Sequence, residues 1–440
     1  MSDVVNLSRF RSSVARALAR RGKKLLETND PAAEMAALET LEAYYIVKEM
    51  GVDNAVTLLR HADDEKFLAF IDLDCWRGDR PDAEEIDAWL APFAAAGEEE
   101  LWETFLRLDS ELQVLFLAQS LIVYDNREEE NLPSPPRGAR RKQTVDTFFT
   151  IETLPEAERE VDPFVLVDAL YAHDVSVAFA LLQAVRWELE DPLAEEAYRF
   201  RAGRLEDLGF PSVDRAMLLF SKPPLKPSAP VDFSGGASTP HTLPALYAEP
   251  LGGDSLLARA MARITDEKLL AGLEESLRYL CNAAIIAYGD SPNDIRRAAA
   301  IATRVRDTLC LGLEHLLSPE APHAFPDGDG ISADAATLLQ TWPLSDIFRI
   351  AYGEVMQLAR DAARLAEDPP VAQWLERSET EADDYSEDRR DREFIKALCS
   401  SRPLHGGYDV GDPTKRKAFA DKRELAAAVE RLDTIAARLI

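Results

Sequence analysis

Apolar residues recur every three or four positions along most of the chain, and this spacing constrains the fold more than any other feature. The first half shows it at Leu101, Phe105 and Leu108, and the second half shows it at Leu273 and Leu277. A helix makes one turn in about 3.6 residues, so residues at this spacing line one face and can be buried together. Strands would instead show apolar residues at every second position. The chain is therefore predicted to be all-α.

Prolines concentrate between residues 221 and 250 and divide the chain into two helical parts. Proline has no N–H group and cannot continue a helix, and Gly235 and Gly236 add backbone freedom. We predict an N-terminal helical domain over 1–220, an exposed Pro/Gly-rich linker over 221–250 and a bundle-like C-terminal helical domain over 251–440. The prolines of the linker are Pro223, Pro224, Pro227, Pro230, Pro240, Pro244 and Pro250.

A weak repeat in the N-terminal half predicts pairs of helices stacked like a solenoid. Segments 58–68, 105–115 and 166–179 each show an apolar helix end, a short break with an acid, and a new apolar stretch. Repeated helix pairs bury their apolar faces on their neighbours. We expect successive helices from about residue 31 to 220, with an exposed loop over 132–142.

Charge and cysteine content limit the classes of function. Fifty Lys and Arg residues oppose 79 Asp and Glu residues, which gives a net charge of −29. Such an excess repels phosphate backbones, so general nucleic-acid binding is disfavoured. The four cysteines are widely spaced, and no apolar stretch has the length of a transmembrane segment. The charged N-terminal segment is also unlike a signal peptide, and we expect a cytoplasmic protein.

Four acids close to Trp76 are the candidates for a metal site. Asp72, Asp74, Asp79 and Asp82 could offer carboxylate oxygens to Mg²⁺. Residues two apart on a helix point about 200° away from each other, so Asp72 and Asp74 could share a metal only outside regular helix. Nearby arginines could neutralise the acids instead. A metal-dependent enzyme or sensor is the alternative function that follows from this cluster.

The first residues of the chain carry charge of the opposite sign to the rest. Apolar residues Leu7, Phe10, Val14 and Leu18 follow helical spacing, so we predict a basic amphipathic helix. Such a helix could bind an acidic partner or an anionic surface, or it could pack on the acidic body of its own chain. The candidate partner-binding residues are Arg9, Arg16, Arg20, Arg21, Lys23 and Lys24.

No set of residues predicts catalysis or a bound cofactor. Gly253, Asp254 and Ser255 are typical of the start of some serine esterases, but no histidine in the chain has an Asp three residues before it. Without a base the serine hydroxyl is a poor nucleophile. Ser255 is expected to begin a helix as its N-cap.

Three segments together carry a resemblance to a known family. Residues 71–81, 195–211 and 344–353 resemble a bacterial family that is defined as a domain of unknown function, whose members are all-helical cytoplasmic proteins. The helix pairs of the N-terminal half are also weakly similar to the cytosolic helical domain of bacterial magnesium transporters. Neither resemblance supplies catalytic residues. We expect a non-catalytic helical scaffold or adaptor that binds another protein.

Overall fold

Helices dominate the computed structural model, and only small sheets interrupt them. The structure describes residues 16–129, 132–154, 159–228, 247, 251–318, 329–376 and 387–440. The predicted all-α class is confirmed. None of the helices within these ranges has both the length and the apolar content that crossing a membrane requires.

The chain forms two compact units. One comprises Phe10–Leu208 and is called the N-terminal unit, and the other contains Gly209–Ile440 and is called the C-terminal unit. Residues 209–220, which the sequence analysis placed in the first domain, thus belong to the C-terminal unit, where Phe210 and Leu219 are buried. Of the predicted linker, the structure describes residues 221–228 and Tyr247, and the rest lies outside the described residues.

The helices of the N-terminal unit are numbered here in chain order. They are α1 (residues 16–26), α2 (Pro31–Ala37), α3 (Thr40–Met50), α4 (Val52–Leu59), α5 (Asp64–Asp74), α6 (Ala83–Ala96), α7 (Glu98–Phe105), α8 (Ser110–Ala118), α9 (Pro163–His173), α10 (Val175–Trp187) and α11 (Glu190–Asp207). Side chains of Asp63, Asp162 and Asp174 accept hydrogen bonds from first-turn N–H groups and so fix where α5, α9 and α10 begin.

Aromatic side chains fill the core between α5 and α6. Phe67 contacts Trp89 and Phe93 edge to face, and Phe70 also packs on Trp89. All four are fully buried. Large aromatic side chains dominate the energy of a core because each removes much apolar area from water. Consecutive helices such as α3 and α4, α6 and α7, and α9 and α10 contact each other. Of these pairs, only α9 and α10 are joined by a predicted repeat segment, 166–179, so the solenoid-like repeat stays a prediction.

Strands interrupt the helices at two places in the N-terminal unit. A short hairpin of β1 (Trp76–Arg77) and β2 (Arg80–Pro81) follows α5. Between α8 and α9 lies an antiparallel sheet of β3 (Leu121–Asp125), β4 (Arg141–Gln143) and β5 (Phe149–Thr153), in the order β3-β5-β4.

This sheet corrects two expectations from the sequence. Successive helices were predicted here, with a loop over 132–142, whereas β4 begins inside that loop. Along β3 the buried positions Leu121, Val123 and Asp125 alternate with half-buried ones. That period of two belongs to a strand, but five residues between longer helical stretches give a weak signal.

The elements of the C-terminal unit continue the numbering. They are α12 (Val213–Met217), a 3-10 turn (Leu218–Phe220), α13 (Leu256–Met261), α14 (Glu267–Ala287), α15 (Ile295–Leu317), α16 (Asp329–Thr341), α17 (Leu344–Glu367), α18 (Pro369–Leu375), α19 (Glu387–Leu398), the hairpin of β6 (His405–Gly406) and β7 (Arg416–Lys417), and α20 (Lys422–Leu439). The predicted N-cap role of Ser255 is confirmed, because its Oγ accepts a hydrogen bond from the N–H of Ala258 at the start of α13.

Long helices pack closely in this unit. Helices α15 and α17 share an extensive contact, and α17 to α20 bury Val355, Trp374, Phe394 and Leu432 in a common core. Several helices that meet around one core agree with the predicted bundle-like arrangement.

The first residues of the predicted linker are attached to α17. Phe220 packs against Tyr352, and the ring of Pro223 lies over Gly353. Farther along, Ser228 donates two hydrogen bonds to Asp346 Oδ2, from its N–H at 2.8 Å and its Oγ at 2.6 Å. Residues 221–228 therefore follow the surface of α17.

Candidate functional site

The carboxylate of Asp74, the first metal candidate, is occupied by three donors. Its Oδ2 accepts hydrogen bonds from Lys48 Nζ at 2.6 Å and Trp89 Nε1 at 2.8 Å, and its Oδ1 accepts one from the Tyr44 hydroxyl at 3.0 Å. Burial, followed by the charge of Asp74, raises the pKa of Tyr44 well above its usual value, so the hydroxyl keeps its proton. Asp74 thus links α3, α5 and α6 through a neutralised polar cluster.

The carboxylate of Asp72 points to a different partner. It is fully buried and accepts hydrogen bonds from Arg204 Nε at 2.5 Å and Nη2 at 3.0 Å. Arg204 Nη1 also lies 2.7 Å from Asp109 Oδ2, and Arg201 Nε donates a hydrogen bond to the backbone carbonyl oxygen of Asp72. Burial raises the pKa of Asp72, while the guanidinium of Arg204 opposes the shift. This pairing attaches α11 to α5 and α8.

The remaining candidates lie apart from this pair. Asp82 caps the start of α6 and forms an ion pair with Arg77, whereas Asp79 is exposed at the turn of the β1–β2 hairpin. Among the described residues, no group of three or more His, Cys, Asp or Glu side chains could hold a metal ion. The structure thus does not bring Asp72, Asp74, Asp79 and Asp82 to one point.

Helix α1 packs on its own chain through Leu18, one residue of the predicted apolar face, and through Leu25. The other residues of that face, Leu7, Phe10 and Val14, lie outside the described residues. Leu18 and Leu25 are each only 5% exposed. Between them Gly22 faces α3, where a Cβ atom would lie 2.9 Å from the Cγ2 atom of Ile46. The missing side chain lets the two helices approach closely, and an ion pair between Arg21 and Glu42 adds to the contact. The described part of the basic helix is therefore a fixed element of the N-terminal unit.

The opposite face of α1 presents cations to solvent. Arg16, Arg20, Lys23 and Lys24 follow one another at i, i+4, i+7 and i+8, which places them on one side of the helix. All four are exposed, and within the part of the chain that the structure describes Arg20, Lys23 and Lys24 form no ion pair. We call these four residues the basic face. Arg9, the other candidate, lies outside the described residues.

Strand β4 forms an edge of the three-stranded sheet, and some of its backbone groups pair with no described residue. Its hydrogen bonds to β5 involve every second residue, as shown by the bonds from Thr153 N to Arg140 O and from Thr144 N to Phe149 O. In an antiparallel pair the residues between these point their N–H and C=O groups away from the partner strand. On β4 those residues are Arg141 and Gln143.

The turn between β4 and β5 displays two apolar side chains on a rigid support. Val145 is 76% exposed and Phe148 is 43% exposed. Thr147 has a φ of 66°, a left-handed conformation that is rare for a β-branched residue. Asp146 holds the turn in place, because it accepts hydrogen bonds from the N–H of Phe148 and from the hydroxyl of Tyr171 in α9.

The residues around Ser255 line a polar cleft of about 510 Å³ in the C-terminal unit. Arg259 pairs with Asp254, and Arg306 pairs with Asp307. Burial raises the pKa of the Cys310 thiol, which also lines the cleft, to about 11, so it is protonated at neutral pH. The Ser255 Oγ accepts a hydrogen bond from the helix start, and no histidine is among the described residues that line the cleft, so none of these residues activates it as a nucleophile.

Comparison with known proteins assigns the chain to a family along almost its entire length. A family of unknown function (DUF6178) matches residues 2–439. The chain belongs to the DUF6178 family. A search of curated proteins and a search of solved structures gave no match. The family resemblance predicted from sequence is confirmed, and the similarity to magnesium transporters stays a prediction.

Two surface features of this DUF6178 chain are exposed, the basic face of α1 and the edge of β4, and the sequence predicted the first of them. The basic face could be predicted from the sequence because its cations lie on consecutive turns of one helix. The edge of β4 was missed, although Arg141, Lys142 and Gln143 precede a turn with an exposed Phe148, because the sheet itself was not predicted.

Proposed function

We propose that the chain is a non-catalytic helical adaptor that binds an acidic protein partner through the basic face of α1. The observation that carries this proposal is the fixed position of Arg20, Lys23 and Lys24, which are exposed and form no ion pair with the described residues, on a chain whose net charge is −29. Because Leu18 and Leu25 already fix the helix, binding would not require it to become ordered first. Pre-organised side chains lose less entropy on binding.

The opposite charge of the basic face supports selectivity for a partner. Charge complementarity speeds association and suppresses wrong partners, and both effects weaken as salt screens the charges. The remainder of the chain carries the net negative charge, which on average repels an acidic partner, so α1 is a favoured position for a complementary partner. No observation in the described residues favours the alternative, a metal-dependent enzyme or sensor, over this proposal.

We propose that the protein is located in the cytoplasm, because its four cysteines are widely spaced and form no disulfide with one another. Cys75, Cys281, Cys310 and Cys399 are all free thiols. Disulfide-stabilised proteins of oxidising compartments pair most of their cysteines.

Charge reversal on the basic face tests the proposal. A partner is first isolated from the native cell with the full chain, and its affinity for the purified protein is then measured. Replacing Arg20, Lys23 and Lys24 by Glu should lower that affinity at least about tenfold at low salt. The affinity of the unmodified chain should also fall as the salt concentration rises.

A matched variant separates a local effect from a change in total charge. Lys222, Lys226 and Arg296 are exposed cations of the C-terminal unit, and replacing them by Glu changes the net charge equally. This variant should keep the affinity within about twofold. Equal losses in both variants, or a partner without an excess of acids, would refute the role of the basic face.

A further inference from the structure

The edge of β4 has the backbone geometry that an added strand requires. The N–H and C=O groups of Arg141 and Gln143 point away from β5, and β4 is the last strand of its sheet. Neither residue makes a further contact with the described chain through these groups. An extended peptide can pair with such an edge through main-chain hydrogen bonds, a mode of recognition called β-augmentation.

The charges next to this edge favour an acidic peptide. Residues 132–142 include Arg137, Arg140, Arg141 and Lys142 and contain no acid. Arg140, Arg141 and Lys142 are each neutralised by one carboxylate of the neighbouring elements. Arg137 is exposed and forms no ion pair with the described residues. Within this segment, one positive charge that the described residues do not neutralise is thus left for a ligand.

An apolar contact is available where the edge ends. The strand runs directly into the turn that displays Val145 and Phe148. Phe148 is held on one side by Phe179, at 5.7 Å between ring centroids, and by the guanidinium of Arg127, at 5.2 Å. These contacts, and the hydrogen bond from Asn126 N to Phe148 O, hold Phe148 toward β3 and away from the free edge of β4. Val145, which follows Thr144 at the end of β4, is therefore the exposed apolar side chain that a bound strand could contact.

We propose that β4 binds an extended acidic peptide segment by strand addition, with acids near Arg137 and an apolar residue against Val145. The left-handed backbone of Thr147 fits this role, since strained residues are retained where the surrounding structure uses the geometry they impose. This binding site is separate from the basic face and does not depend on the function proposed above. A protective role is the competing explanation, because short charged edges also discourage strand pairing.

Hydrogen exchange at individual amides tests strand addition directly. The probe is a labelled peptide of alternating Glu and Val, about eight residues long, which is the length of an ordinary strand. Without the peptide, the amides of Arg141 and Gln143 should exchange fast, and the amide of Lys142, which is bonded to β5, should exchange slowly. With the peptide, exchange at the amides of Arg141 and Gln143 should slow at least tenfold, while the exchange rate at the amide of Lys142 should change little. The same peptide with Lys in place of Glu should leave all three unchanged.

Proline at the edge provides the matched variants. Gln143→Pro removes an outward N–H group and no bond to β5, so the sheet should persist while peptide affinity falls at least tenfold. Gln143→Thr keeps that N–H group and should bind within about twofold of the unmodified chain. Should the proline variant unfold, Arg137→Glu replaces it and should lower affinity several-fold.

Two results would overturn the proposal. Unchanged exchange at Arg141 and Gln143 at saturating peptide would show that the peptide binds elsewhere or not at all, as expected of a protective edge. Equal affinity in the Gln143→Pro and Gln143→Thr variants would exclude main-chain pairing. The charge-reversed variant of α1 should bind this peptide normally, so failure here is distinguishable from failure of the adaptor function.

Discussion

The buried acids Asp72 and Asp74 are neutralised by residues that lie far away in the sequence. Asp72 pairs with Arg204, which is 132 positions later, and Asp74 binds Lys48, which is 26 positions earlier. The sequence shows that acids cluster around Trp76, but the partners of each acid depend on how the helices pack. Removing one member of a buried ion pair is costly because the other charge is left unpaired. The cluster therefore has a structural role that residue spacing alone could not indicate.

His405 is the residue whose protonation affects stability most clearly. Its ring stacks on Phe419 at 4.7 Å between centroids and contacts Phe394 and Tyr408, and its buried Nδ1 atom forms no hydrogen bond with the described residues. Burial, with the nearby charges of Lys417 and Arg431, lowers the pKa of His405 to about 4. The neutral ring is therefore the form that the folded chain accommodates.

We expect acid to destabilise the protein through this histidine. Below pH about 6.5 the unfolded chain binds a proton at residue 405 that the folded chain takes up only near pH 4, so stability is lost as the pH falls between these values. Urea unfolding measures the free energy of unfolding at pH 7.5 and at pH 5. Between these values it should decrease by about 2 kcal/mol more in the unmodified chain than in His405→Phe. Equal losses in both would show that the ring is protonated in the folded state.

Element prediction succeeded where the apolar spacing extends over several turns and failed where it does not. Helices such as α14 and α15 have more than five turns, so their buried stripes are unambiguous. Strand β4 has three residues and its side chains are mostly charged or polar, and its pairing with β5 is set by the turn around Thr147. The edge that carries the second proposed binding site could therefore be found only from the fold.

The contact between α15 and α17 depends on a glycine. A Cβ atom on Gly312 would lie 2.3 Å from the backbone carbonyl oxygen of Ile347, and a backbone atom cannot move aside as a side chain can. Gly312→Ala should therefore lower the free energy of unfolding by about 1–3 kcal/mol. Gly272 is exposed on α14 with nothing within 4 Å of the added atom, so Gly272→Ala should instead raise it by about 0.5–1 kcal/mol.

Chemical denaturation of the two variants measures this difference. We expect the two changes in the free energy of unfolding to have opposite signs. Both glycines are helical and alanine favours the helix equally at each, so the difference comes from the close approach of residue 312 to Ile347. A stabilising effect of Gly312→Ala would show that the two helices can separate without loss of packing.

At the scale of the whole molecule, the sequence predicted two helical parts and a connector, but placed the end of the first part later than the end of the first compact unit. The composition changes at Ser221, whereas the N-terminal unit ends at Leu208. The difference arises because α12 and Phe220 bury apolar side chains in the C-terminal unit. Helical spacing identifies what is buried, but it does not tell which core a helix joins.

The attachment of residues 221–228 to α17 should slow proteolysis of this part of the predicted connector. Cleavage requires a segment to leave its support, and the two hydrogen bonds from Ser228 to Asp346 oppose this. Leu225 has a fully exposed side chain between these bonds and the contact of Pro223 with Gly353. Asp346→Ala should therefore increase the rate of chymotrypsin cleavage after Leu225 several-fold.

Two comparisons show whether the released segment is the cause. Asp361 lies on the same helix and pairs only locally, with Arg364, so Asp361→Ala should leave the cleavage rate within about twofold. Cleavage sites in the N-terminal unit should be cut at unchanged rates in Asp346→Ala, because the unit as a whole remains folded. Faster cleavage everywhere would instead show general unfolding, and an unchanged rate after Leu225 would mean that the contacts of Phe220 and Pro223 are sufficient to hold the segment on α17.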